Sequence, residues 1–195
     1  MKACRVFGIL MAAGMGARAE GCTVTVYVHA AFNDPEPFVL IRAEIAAADL
    51  FRDIGVAIRW RTGAVRPAAD GACGAPIEVS IGETAGSAVS PHALANATPF
   101  RNSGTSIHVF ADRVSVACGG RLCAPILAYV LAHEITHVLE GVNRHSAEGV
   151  MKAQWEFSDY RLMQTRKLSF AAEDVDLIHR GLVARMRPLL AAAAR

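Results

Sequence analysis

Residues 124–141, "APILAYVLAHEITHVLEG", place the tightest limit on what this chain can fold into. Pro125 suits the first turn of a helix and Gly141 the position just past its end, so the segment predicts a single helix. Ile126, Leu127, Val130, Leu131, Ile135, Val138 and Leu139 leave it no polar face. A helix that is apolar nearly all round belongs in an interior. Yet this one carries His133, Glu134 and His137, and burying such groups without partners costs on the order of several kcal/mol. The fold must therefore supply something for them to bind.

Their spacing says what that could be. Residues four apart lie about one turn apart on the same helix face, so His133 and His137 can aim their nitrogens at one point. Two zinc–nitrogen bonds of about 2.0 Å fit that geometry. Glu134 sits beside the same face, where its carboxylate can take a proton from a zinc-activated water without ligating the metal. A catalytic zinc needs a third protein ligand and an open fourth position. Gly141 ends the helix and lets the chain turn back, which makes His145 the natural third ligand. A later carboxylate is the alternative, from Glu148, Glu156 or Glu173.

The run HEITH, then Gly141, then His145 with Ser146, then "GVM" ending in Met151, resembles the metzincin clan of zinc endopeptidases, closest to matrixin-like members and small exported bacterial relatives. The resemblance implies one zinc ion held by His133, His137 and His145, with Glu134 as general base. It implies Met151 as the turn methionine that forms an apolar floor under the site. It also implies an α+β fold: a twisted mixed sheet of four to five strands, a backing helix, the active-site helix, the Met-turn and a C-terminal helix. The substrate would be a peptide or protein lying extended along the sheet edge, around residues 96–104. Trp155 and Phe157 would line the pocket beyond the scissile bond or pack in the core. Structural calcium is left open by the resemblance, but no Asp-rich loop supports it. The usual pattern, H-E-x-x-H-x-x-G-x-x-H, has glycine and histidine where this chain has Glu140 and Asn143. Here Gly141 and His145 come one and two positions later, so the connection to the third ligand is longer.

The remaining sequence frames this site. Residues 1–19 have Lys2 and Arg5, an apolar run from Val6 to Gly16, and an A-x-A arrangement at Ala17 and Ala19, the layout of a secretory signal peptide. Residues 20–195 then read as a single catalytic domain, secreted or periplasmic, with no membrane association after signal cleavage. The leader takes 3 of the 20 Lys and Arg and none of the 18 Asp and Glu, leaving 17 against 18 and a net charge of −1. With no basic block left, nucleic-acid binding has no support, and a monomer is expected. Cys22, Cys73, Cys118 and Cys123 are an even set in an oxidising compartment, so two disulfides are expected. The pairing preferred is Cys118 with Cys123, across "CGGRLC", and Cys22 with Cys73.

Periodicity predicts strands at 22–30, 56–62, 77–81 and 105–111, with loop and a short edge strand within 82–104. It predicts an amphipathic helix within 33–55, with its apolar stripe at Phe38, Ile41, Ile45, Ala48 and Phe51. A final helix is expected over 169–190, breaking near Pro188. His29, His92, His108 and His179 read as ordinary hydrogen-bonded or solvated residues. Against the endopeptidase reading stands a non-catalytic, zinc-stabilised exported binding module. Glu134 argues for the enzyme, because a structural zinc site needs no base.

Overall fold

A run rich in β-branched residues forms β1, Thr23–Ala30. The computed structural model describes residues 23–30, 37–67, 72–83, 90–98 and 105–193. The expected signal segment and Cys22 lie outside them. After β1 come α1 (Pro37–Asp53), β2 (Ala57–Arg61), β3 (Ile77–Gly82), β4 (Ala95–Thr98) and β5 (Ser106–Phe110). Helices α2 (Ala111–Ala117), α3 (Ala124–Glu140), α4 (Phe157–Gln164) and α5 (Ala172–Ala193) complete the order.

The five strands make one mixed sheet in the order β2-β1-β3-β5-β4. Strands β2, β1, β3 and β5 run parallel, and β4 closes one edge antiparallel to β5. Register aligns the apolar positions: Val28 lies opposite Val79, Val79 opposite Ile107, and Ile81 opposite Val109. Those residues are buried on the face that packs into the core. Glu78, Ser80 and His108 alternate onto the other face, as a period of two requires. Five strands and five helices in this arrangement are compatible with an α+β class.

Helix α3 runs through the interior, with every residue from Ile126 to Leu139 buried. Pro125 sits in its first turn, and Gly141 takes φ +68°, its N–H returning to the His137 carbonyl. That left-handed cap is what glycine tolerates best, and it releases the chain toward residue 145. Helix α1 packs against α3, and α5 crosses α3 from another side.

Two expectations are corrected, and two helices are added to those expected. On α1, Phe38, Ile41 and Ile45 are exposed, at 73%, 50% and 57%, while Ala43, Ala47, Leu50 and Phe51 are buried. The first three residues of the expected stripe face out while Phe51 faces in, because α1 packs against α3 with alanines at the contact. Pro188 does not break α5, which continues to Ala193; the missing N–H removes one hydrogen bond from a helix already anchored by its earlier turns. Helices α2 and α4 were not expected. Each is about two turns long, too short for a 3.6-residue period to show, and α4 starts on a capping box in which Glu156 and Asp159 bond reciprocally.

Cys118 and Cys123 form a disulfide. Cys73 is buried and disulfide-bonded. No described helix is long and apolar enough to cross a membrane.

Candidate metal centre

One turn of α3 separates His133 from His137, and their Nε2 atoms lie 3.1 Å apart. Two lone pairs at that distance repel unless a proton or a cation lies between them. Two zinc–nitrogen bonds of 2.0–2.1 Å at a tetrahedral angle put the nitrogens about 3.3 Å apart, close to the spacing found. His145 joins them from the loop after Gly141. Its ring centroid is 5.3 Å from that of His133 and 5.0 Å from that of His137. One nitrogen from each of the three lies within 4.8 Å of the other two.

The tautomer of His133 is fixed from behind. Its Nδ1–H donates to the Val150 carbonyl at 2.8 Å, which leaves the Nε2 lone pair facing its partners. Burial pushes the His133 pKa down to about 3, with the neighbouring His137 adding to the effect. Burial likewise lowers His137 to about 4, with His145 contributing, and lowers His145. Three imidazoles held neutral, with nitrogens converging, are the donor set that zinc takes. The residues present fit the ion that the sequence implied.

Glu134 is buried beside the triad and points toward the sheet edge. Burial raises its carboxyl to about 7, opposed by a hydrogen bond from the Ala97 backbone on β4. A pocket of about 970 Å³ holds His133, Glu134, His137 and His145 on one side and residues Ser90 to Ala97 on the other. Its remaining wall comes from Asn143, the Lys152–Trp155 stretch and Tyr160.

Met151 is fully buried in the core, directly after the residue whose carbonyl holds His133. Its own carbonyl accepts the Ser146 N–H at 2.8 Å, so the residue after His145 is pinned to the turn. The turn itself leans on the irregular segment leading into α5: Val150 N–H donates to the Ser169 carbonyl. Gly149 sits at φ +77°, where a Cβ would stand 2.4 Å from that same Ser169 oxygen. Only glycine fits both demands.

The carboxylates considered as rival ligands are engaged elsewhere or exposed. Glu173 pairs with Arg144, Glu156 lies against Lys152, and Glu148 is exposed. Among the described residues the three histidines are the one group of three or more such side chains gathered closely enough to share an ion. Trp155 lines the pocket, its ring in edge contact with His133 at 5.4 Å, whereas Phe157 is 78% exposed and lies outside it. His92, read from the sequence as an ordinary residue, and Tyr160, which no motif marked, also line the pocket. His92 sits in a loop without a pattern, and Tyr160 sits on the unexpected α4. The other histidines behave as ordinary residues. His108 bonds Ser80, and His179 reaches the Ile54 carbonyl.

No family model and no curated protein matches this sequence. Among solved structures the chain is similar to myroilysin, with 12% identity over 80% of this chain and a TM-score of 0.39. The chain spans 66% of that protein's length. So loose a likeness leaves the reading of the site to its own geometry.

Proposed function

We propose that this chain is an exported zinc-dependent endopeptidase that cleaves peptide bonds in a peptide or protein substrate. The observation that carries the reading is the convergence of three neutral imidazoles with a buried carboxylate beside them, on one wall of a pocket bordered by a sheet edge. His133, His137 and His145 would hold one zinc ion, which when bound polarises a carbonyl and acidifies water. Three protein ligands would leave a catalytic zinc a fourth position for substrate or water.

Glu134 takes a proton from the attacking water as the new C–O bond forms. It then delivers that proton to the amide nitrogen as the C–N bond breaks, so the same carboxyl ends each cycle as it began. In the metal-free site burial raises that carboxyl to about 7, and a bound cation would favour its ionised, proton-accepting form. Strand β4 supplies the alignment. Its outer edge is unpaired among the described strands and borders the pocket at Ala95–Ala97, so an extended peptide can add there through main-chain hydrogen bonds. The remainder of the expected edge, residues 99–104, lies outside the described residues.

The test is digestion of a diverse peptide library by the purified protein, beside Glu134→Gln, with zinc content measured in both. Cleavage by the wild type that disappears with chelator and in the variant, while the variant keeps its zinc, supports the enzyme. Zinc in both proteins with cleavage by neither would replace it with the binding module.

A further inference from the structure

The loop between the second and third histidines is longer than the pattern it resembles, and a longer loop orders its third ligand less well unless something holds it. The residues on either side of His145 are held by one side chain. Asp174, in the first turn of α5, is fully buried. Its Oδ1 accepts from Arg144 Nη1 at 2.8 Å and from the Ser146 hydroxyl. Arg144 Nη2 also donates to the Ser146 Oγ at 3.2 Å, which closes a ring of contacts around the residue between them. Asp174 Oδ2 accepts the Ala171 N–H, fixing the carboxylate to its own helix start. Arg144 further reaches Glu140 at the end of α3, at 3.6 Å, and Glu173 at 2.9 Å. The loop is thus tied to α3, which carries the first two ligands, and to α5.

A buried carboxylate is costly unless its hydrogen bonds are supplied, and here the suppliers are the two neighbours of a metal-binding candidate. We infer that Asp174, acting through Arg144 and Ser146, is the positioning residue that orients His145 toward the other two histidines. The inference rests on the zinc reading of the triad. Outer partners of metal ligands commonly govern affinity in this way.

The experiment is a double-mutant cycle on zinc affinity, measured by competition with a chromophoric chelator. It uses the full chain as wild type, Asp174→Asn, His145→Ala and the double variant. Cobalt absorption reports coordination in each, and melting with excess chelator reports the metal-free fold. Asp174→Asn should weaken zinc about 10- to 100-fold where His145 is present. With His145 absent it should change affinity less than twofold. Arg144→Met, which removes two of the ring's contacts while leaving Asp174 in place, should weaken zinc in the same direction, and it carries the test if Asp174→Asn does not fold. Equal losses with and without His145, or no loss at all, would overturn the positioning role while leaving the zinc site standing. A wild type that binds no zinc, or a His133→Ala variant that binds it as well as wild type, would overturn the site and the positioning role together.

Discussion

Glu134 and the histidines flanking it pull the stability of the metal-free protein in opposite directions as pH changes. Burial holds His133 near 3 and His137 near 4, against an ordinary 6.5, so the unfolded chain binds protons that the fold refuses. Stability from these two groups is therefore lost as pH falls below about 6.5. Glu134 is raised from 4.5 to about 7, so between those values the fold keeps a proton that the unfolded chain releases. Its contribution rises as pH falls through that window. Replacing it by Gln should remove the opposing contribution. Urea unfolding of metal-free Glu134→Gln, followed from pH 6.5 to 4.5, should lose stability more steeply than wild type, by up to about 1.4 kcal/mol per pH unit, the worth of one proton. Parallel slopes would mean that Glu134 is solvated in the metal-free fold. His133, Glu134 and His137 were legible in the sequence because helical spacing and an apolar setting speak locally, and His145 followed from the glycine that ends the helix and from the resemblance. Asp174 and Tyr160 were not, since their part depends on contacts across 28 residues in one case and on an unforeseen short helix in the other.

At the scale of elements, the positions where size matters are the small ones. A Cβ on Gly181 would stand 1.7 Å from the Leu139 carbonyl oxygen, so α5 crosses the end of α3 with nothing but backbone between them. Gly181→Ala should cost on the order of 3 kcal/mol in chemical denaturation, at or beyond the usual range for overpacking, because the obstacle is main chain and cannot rotate away. On α1 the contrast should be equally plain. Ala47→Leu enlarges a fully buried contact in a helix packed against α3 and should cost about 1–3 kcal/mol. Ile45→Ser alters an exposed side chain and should stay within about 0.5 kcal/mol. Comparable losses from these two would restore the stripe read from the sequence. That stripe went astray for a physical reason. Periodicity weights large apolar residues, whereas the helix that packs closest is chosen by where large residues are missing.

Across the whole molecule, two constraints act on the unfolded chain and on the metal. The Cys118–Cys123 disulfide closes a loop with a sequence separation of 5, and chain entropy gives such a loop about 2 kcal/mol. Cys118→Ser with Cys123→Ser should lower the denaturation midpoint accordingly with little effect on zinc affinity, since the bridge precedes α3 and touches none of the histidines. Zinc itself should raise the melting temperature in proportion to the logarithm of its free concentration, and excess chelator should reverse the rise. A melting temperature indifferent to zinc would exclude binding by the folded chain. The order of strands was not legible, because β1 pairs on one side with β2 and on the other with β3, and only tertiary contact decides which neighbour takes which edge.

The ties that run from α5 back to the histidine loop also set an order of events. Val150 is held by Ser169, Ser146 and Arg144 by Asp174, and His133 by Val150, so the donor set stays incomplete until residues beyond 170 have joined a nearly finished molecule. On the zinc reading proposed above, an ion that needs all three histidines would be taken up after these ties have formed, from the metal pool at the place where folding ends.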